Sequence, residues 1–109
     1  MEFIPTSLPE VQIIRPKIYS DQRGFFMETF QAQLCTKAGL PATFVQDNNS
    51  GSYRGILRGL HYPIRQAQGK LIRVVAGEIF DVAVDLRRNS PTFKMWVGVT
   101  LSAESRDQL

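Results

Sequence analysis

Two basic residues that could carry chemistry, His61 and Lys70, stand close together in the second half of the chain. His61 is the only histidine, and an imidazole can take up and release a proton near neutral pH. Taken singly, each has a simpler explanation: a lone histidine is more often a hydrogen-bonded interior residue, and a lysine at a strand start is usually solvated.

The small numbers of histidines and cysteines disfavour metal chemistry. Zinc and iron sites built from histidines need two or three of them, and the chain has one histidine and one cysteine. Cys35 has no second cysteine with which to form a disulfide or a redox pair, so we interpret it as a packing residue. No metal and no other cofactor is therefore expected.

Length and charge exclude several classes of protein. The chain has 109 residues, which predicts a single domain over residues 1–109, and its 43% hydrophobic content is that of an ordinary globular protein. The net charge of +3 is too small for nucleic-acid binding, but residues 54–88 carry a local excess of +4, which favours an anionic small molecule. The sequence shows no membrane span and no signal peptide, so a cytoplasmic location is expected.

The elements that must position these residues are mostly strands. One helix is predicted from Phe30, Leu34 and Ala38, which recur at four-residue spacing before Gly39. Runs rich in β-branched and aromatic residues, separated by turn formers, predict several short strands and hence a β-sandwich or barrel. The predicted strands cover residues 11–14, 25–28, 43–46, 55–62, 70–75, 79–86 and 96–101.

The strands over residues 70–75 and 79–86 are predicted to form a hairpin around Gly77. Either register of that hairpin places Lys70, Asp81 and Asp85 on one face, because both preserve parity. In the strand over residues 55–62, by contrast, Arg58 and His61 would point to opposite faces. They can serve one pocket only if the strand ends or bulges at the intervening glycine.

Five short motifs occur in a fixed order along the chain. Together they closely resemble the dTDP-4-dehydrorhamnose 3,5-epimerases, over nearly the whole chain. Any single motif would be weak, but five in sequence make chance similarity implausible. The motifs are residues 21–28 (DQRGFFME), 46–50 (QDNNS), 58–62 (RGLHY), 68–74 (QGKLIRV) and 81–87 (DVAVDLR).

The resemblance implies an all-β fold, a cupin-like β-jelly roll or double-stranded β-helix with one short helix, in a homodimer without metal. It implies a dTDP-sugar substrate whose C4 ketone acidifies the protons on C3 and C5. His61 then matches the base, Lys70 the group beside the ketone and Arg58 a diphosphate contact. The residues matching the nucleotide or sugar site are Arg23, Glu28, Gln46, Asp47 and Asn48. Asp81 is our own inference from the hairpin, as an acid that orients Lys70 or His61.

Members of this family continue well beyond residue 109 with a tyrosine acid and a carboxylate that pairs with the histidine. None of Tyr19, Tyr53 and Tyr62 matches that acid, so the sequence is expected to be a truncated member with an incomplete jelly roll. Three alternatives remain open at this point. They are a non-catalytic dTDP-sugar-binding chain, a related 3-epimerase or ketoisomerase and, least favoured, a metal-dependent oxygenase.

Overall fold

Strands dominate the computed structural model, which describes all 109 residues. The one helix is short, and none of the helical structure has the length and apolar character that a membrane span requires. In chain order the elements are β1 (Glu2–Pro5), β2 (Gln12–Arg15), β3 (Ile18–Asp21), β4 (Gly24–Met27), α1 (Ala32–Lys37), β5 (Glu78–Val84) and β6 (Trp96–Ser102).

The six strands form three antiparallel pairs, β1 with β2, β3 with β4, and β5 with β6. The β3–β4 hairpin closes tightly, because Asp21 pairs with Gly24 and only two residues form the loop. The β5–β6 pair is the longest, and at its centre Asp81 lies opposite Val99. This pair is the most extended regular surface of the molecule.

A segment near the end of the chain, residues 106–109, joins parts that are distant in sequence. The backbone N–H and C=O of Gln108 bond to Ile14 over 2.9 and 2.8 Å, and those of Leu109 bond to Ile72 over 3.0 and 2.8 Å. Asp107 accepts two hydrogen bonds from the guanidinium of Arg15, at 3.0 and 2.9 Å. The segment therefore lies between β2 and residues 72–73 and fixes one against the other.

Local capping explains helix α1. The side chain of Gln31 accepts a hydrogen bond from the N–H of Leu34 at 2.8 Å, which satisfies one of the free amides of the first turn. At the other end Gly39 takes a left-handed conformation with φ +76° and donates to Thr36, which ends the helix. The helix buries Cys35, the packing role that the sequence indicates.

The core is small. Seven of the 109 residues are buried, and the accessible surface is 9095 Å². A compact monomer of 12.3 kDa would expose roughly 6,100 Å², so the chain exposes about half as much again. Much of the excess comes from large apolar side chains on the strands, including Phe25, Phe26, Phe80 and Trp96.

Several predicted elements are confirmed. The helix and the strands expected at residues 11–14, 25–28, 79–86 and 96–101 correspond to α1, β2, β4, β5 and β6. The strands expected at residues 43–46 and 55–62 are wrong, because these residues form an irregular segment with mostly exposed side chains. Strands β1 and β3 were not anticipated, and each is the partner that completes an antiparallel pair.

The predicted hairpin between residues 70–75 and 79–86 is also wrong. Strand β5 pairs with β6 instead, and the only bridge in residues 70–75 joins Arg73 to Gln108. Gly77 does take a positive φ of +77°, but its carbonyl accepts from the N–H of Ala103, so the turn residues serve a different pairing. Both candidate partners of β5, residues 70–75 and β6, contain several β-branched and other apolar residues, and local sequence does not distinguish them.

A polar network closes the loop between β5 and β6. The carboxylate of Asp85, which is 7% exposed, accepts hydrogen bonds from Arg87 and, at 2.6 Å each, from the hydroxyls of Ser90 and Thr92. The hydrogen bonds from Arg87 are the main cause that holds the pKa of Asp85 well below its usual 3.8. Because the charged form is preferred in the folded state, the carboxylate stabilises the fold above that usual value and loses this effect only in strong acid.

We predict that Asp85→Asn lowers the melting temperature by about 5 °C or more at pH 7, since the amide cannot accept all of these bonds. Thermal unfolding monitored by circular dichroism measures the change. The difference in melting temperature between Asp85→Asn and the parent chain should be the same at pH 7 and pH 5, and it should become smaller below pH 4. Arg88→Gln, at an exposed neighbouring position, is the control; an equal loss in that variant would contradict the assignment.

Candidate functional site

Four polar side chains named from the sequence line one cavity. This cavity has a volume of about 960 Å³, within the range of small-molecule sites, and Arg58, His61, Lys70 and Asp81 all contribute to its wall. The rest of the wall is largely apolar and includes Ile14, Cys35, Leu40, Phe44, Leu71 and Val84. The cavity is thus a mostly apolar space with two strong cations, an imidazole and a carboxylate.

Gly59 explains how Arg58 and His61 reach the same cavity. The intervening backbone turns at Gly59, whose φ is +99°, so the odd spacing no longer directs the two side chains apart. A Cβ atom built at Gly59 would lie 3.3 Å from Nδ1 of His61, which means that the imidazole packs against this glycine. The sequence expectation of a break at Gly59 is confirmed, although the break lies in an irregular segment.

Lys70 and Asp81 are held by different pairings. Asp81 projects from the middle of β5, which β6 supports along its whole length. Lys70 lies two residues before Ile72, whose backbone is bonded in both directions to Leu109. Both residues therefore line the cavity, but they reach it through separate pairings and not through the predicted hairpin.

The carboxylate of Asp81 is poorly solvated. Its Oδ2 atom is buried and has no hydrogen-bond partner. Burial raises the pKa of Asp81 above its usual 3.8, while a backbone hydrogen bond from Val82 and the positive charge of Lys70 act in the opposite direction. A carboxylate with one buried oxygen that lacks a partner costs stability when it is ionised, and Val82 and Lys70 offset part of this cost.

Arg58 is oriented by the loop that follows the motif at residues 46–50. Its Nε donates to the hydroxyl of Ser52 and its Nη2 to the carbonyl of Gly51, each at 2.9 Å. Neither bond could be read from the motifs. Three further predicted residues, Gln46, Asp47 and Asn48, are exposed and lie outside the cavity wall, with Gln46 donating to Asn48 at 3.1 Å.

The two remaining predicted residues lie elsewhere. Arg23 is in the loop of the β3–β4 hairpin, with its side chain 91% exposed and bonded to Asp21 at 2.6 Å. This bond lowers the pKa of Asp21. Glu28 follows β4 and is exposed. Neither lines the cavity that holds His61.

One further expectation is corrected. Asp85 was placed on a face with Lys70 and Asp81, but its carboxylate points into the network with Arg87, Ser90 and Thr92 and does not line the cavity. The predicted shared face depended on the wrong hairpin. No group of three or more His, Cys, Asp or Glu residues lies close enough together to hold a metal ion.

Comparison with known proteins points to one family. A family model described as dTDP-4-dehydrorhamnose 3,5-epimerase matches residues 5–109. The chain is 56% identical to the dTDP-4-dehydrorhamnose 3,5-epimerase of Shigella flexneri over 100% of its own length and 61% of that protein. It is 37% identical to a dTDP-4-dehydrorhamnose 3-epimerase of Streptomyces niveus, over 97% of this chain and 52% of that one.

Comparison with solved structures points to the same family. The crystal structure of a 3,5-epimerase from Legionella pneumophila in complex with dTDP-4-keto-L-rhamnose superposes with a TM-score of 0.92 at 56% identity, over 98% of this chain and 57% of that one. The expected cupin-like fold, mostly strands with one short helix, is confirmed. The chain spans between 33% and 61% of the length of the first relatives that it matches.

We predict that Asp81→Asn raises the melting temperature at pH 7 by about 2–4 °C, because it removes a partly buried charge whose Oδ2 atom has no hydrogen-bond partner. The folded-state pKa is raised, so the ionised form destabilises the fold, and the gain should shrink as the pH falls and the native carboxyl becomes protonated. Thermal unfolding between pH 4 and pH 7 measures this. Glu104→Gln, an exposed neutralisation, should leave the melting temperature unchanged, and a loss of stability in Asp81→Asn would contradict the prediction.

Proposed function

The chain belongs to the dTDP-4-dehydrorhamnose 3,5-epimerase family, and from this premise we propose that it binds a dTDP-linked 4-keto-6-deoxy sugar and moves the protons beside the ketone. The chemistry is an isomerisation that inverts C3 and C5 and needs no cofactor. The observation that carries the proposal is the meeting of His61, Lys70 and Arg58 around one cavity of small-molecule size.

His61 is proposed as the base. Its imidazole takes the proton from C3 or C5, and the electron pair of the broken C–H bond moves into a new C=C bond while the ketone oxygen becomes an enolate. Return of a proton from the opposite face, with the enolate collapsing to the ketone, completes each inversion. Contact with Gly59 supports this role, because it restrains the imidazole against a backbone with no side chain in the way.

Lys70 is proposed to stabilise the enolate oxygen. An ammonium group in a mostly apolar cavity interacts more strongly with developing charge than it would in water. Asp81 is proposed to position this ammonium group, since both residues line the same cavity and the positive charge of Lys70 acts to lower the pKa of Asp81. The carboxylate touches no reacting atom in this scheme and acts through the lysine.

Arg58 is proposed to bind the diphosphate. Two of its nitrogens are committed to Ser52 and Gly51, so the guanidinium is oriented before a ligand arrives. The same loop connects Arg58 to Gln46, Asp47 and Asn48, which we propose contact the nucleotide. The excess of positive charge over residues 54–88 favours an anionic ligand of this kind.

Arg23 and Glu28 are proposed to act across a homodimer. They do not line the cavity of their own chain, and the β3–β4 hairpin, which carries Arg23 in its loop and is followed by Glu28, is almost wholly exposed. A second copy would bring this hairpin to a neighbouring site and would also cover exposed aromatic rings such as Phe25 and Phe26. We propose no nucleic-acid or membrane partner.

Residues 1–109 are proposed to act as one epimerase-like domain in the cytoplasm. The modest net charge of +3 and the concentration of basic residues near the cavity suit a small anionic substrate. A diphosphate-linked sugar does not cross a lipid bilayer unaided, so enzyme and substrate must share a compartment.

We predict that His61→Asn abolishes exchange of solvent deuterium into C3 and C5 of the dTDP-4-keto-6-deoxy sugar, lowering its rate by at least about 100-fold. Asparagine keeps a polar side chain of similar size but cannot accept and return the proton. The exchange is followed by proton NMR or mass spectrometry in D2O, and the dissociation constant for dTDP should change by less than about twofold.

Arg65→Gln, which removes an exposed charge in the same irregular segment, is the matched control and should keep the exchange rate. Exchange in His61→Asn at the rate of the parent chain would refute the assignment of the base. Binding of dTDP by the parent chain without any exchange would instead identify a non-catalytic binding chain.

Mixing two inactive variants tests the shared site. If Arg23 serves the partner, a heterodimer of His61→Asn and Arg23→Met chains has one site with both native residues. Random pairing then restores about one quarter of the parent exchange rate. Activity should recover only after the two kinds of chain have exchanged between dimers. If mass spectrometry shows heterodimers in the mixture and no deuterium exchange is recovered, Arg23 does not serve the partner's site.

A further inference from the structure

The β3–β4 hairpin is weakly attached to the rest of the chain. Its strands pair only with each other, and no hydrogen bond or ion pair leads from residues 18–27 to residues outside it. All of its strand residues except Met27 are exposed. A hairpin attached in this way can change its angle to the body unless a side-chain contact restrains it.

Arg106 supplies such a contact. Its guanidinium carbon lies 3.8 Å from the centre of the Phe25 ring, well within the distance of a cation–π interaction. Phe25 is in β4, and the same hairpin carries Arg23 in its loop. Arg106 is therefore the charged side chain that connects this hairpin to the body of the molecule.

The conformation of Arg106 is an unfavourable one. Its backbone is left-handed, with φ +60°, a region that non-glycine residues seldom occupy. Its Nε atom is buried and has no hydrogen-bond partner. Both features cost stability, and such strain persists where the surrounding structure imposes it, commonly at functional positions.

The residues after Arg106 hold it in place. Asp107 is bonded to Arg15 through both carboxylate oxygens, and Gln108 is bonded through its backbone to Ile14. The side chain of Gln108 also donates to the carbonyl of Thr29 at 2.8 Å, at the base of the hairpin. Arg106 thus projects from a fixed segment onto a ring of the attached hairpin.

We propose that Arg106 is a positioning residue, which sets the angle of the β3–β4 hairpin through Phe25 and thereby places Arg23 for the nucleotide. The inference rests on the proposed function, because Arg23 must contact the ligand for the angle to matter. Arg106 itself touches no substrate in this scheme.

Variants of the full 109-residue chain separate this role from a general effect on stability. Arg106→Met keeps the length of the side chain but removes the charge, and Arg106→Lys keeps a cation over the ring. Phe25→Leu removes the ring. The matched control is Lys94→Met, which removes a different cation–π contact, with Phe93, in the loop between β5 and β6.

Two measurements are made on each variant, the dissociation constant for dTDP by calorimetry and amide hydrogen exchange of peptides covering residues 18–27. Arg106→Met should weaken dTDP binding about fivefold and speed exchange in the hairpin, consistent with loss of one cation–π contact. Arg106→Lys should restore both to within about twofold of the parent. Arg106→Met should have no further effect in the Phe25→Leu background, and Lys94→Met should leave both measurements unchanged.

Faster exchange in Arg106→Met with unchanged dTDP binding would overturn the positioning role and leave only a structural one. Unchanged hydrogen exchange in Arg106→Met would show that the contact with Phe25 does not restrain the hairpin. A Lys94→Met variant that behaves like Arg106→Met would overturn the proposal as well. Failure of the parent chain to bind dTDP would be a failure of the proposed function, and the inference would fall with it. If the parent chain binds dTDP and Arg106→Met binds it equally well, the inference is overturned and the proposed function stands.

Discussion

Backbone hydrogen bonds at Gln108 and Leu109 hold together parts of the chain that share no other regular pairing. Gln108 is bonded to Ile14 on one side, and Leu109 to Ile72 on the other. Each bond is worth only about 1 kcal/mol net, but a break would leave buried amides and carbonyls without partners, which costs more. Gln108 is 2% exposed, so water cannot replace these bonds. The position of Lys70, two residues before Ile72, depends on them.

The candidate site depends both on these backbone hydrogen bonds and on the β5–β6 strand pair. Asp81 projects from the centre of the β5–β6 pair, and Lys70 approaches it from the tethered segment. The Oδ2 atom of Asp81 is buried without a hydrogen-bond partner, and the positive charge of Lys70 acts against the rise in the pKa of Asp81 that burial causes. Arg58, held by Ser52 and Gly51, adds a second fixed cation to the same cavity. Pre-oriented charge of this kind is what stabilisation of an enolate and a diphosphate requires.

Local patterns predicted some elements well and others badly. Helix α1 was predictable because its boundaries are set locally, by the Gln31 cap at its start and by Gly39 after its last turn. The strands expected at residues 43–46 and 55–62 share the composition of true strands, but a strand also needs a bonded neighbour. The hairpin failed for a related reason, since residues 70–75 and β6 are both suitable partners for β5 and only the complete fold selects between them.

The sequence by itself determined the family, through five ordered motifs, and with it the residue types that can do the chemistry: His61, Lys70 and Arg58. It also indicated that the chain would break at Gly59, because glycine alone takes a φ of +99° without strain. Tertiary structure decided which of these groups meet. It brought Asp81 to Lys70 through separate pairings, turned Asp85 into the loop network, and left Arg23 and Glu28 on a hairpin away from the cavity. The physical reason is that long-range backbone pairing depends on competition between segments distant in sequence, and no local pattern records its outcome.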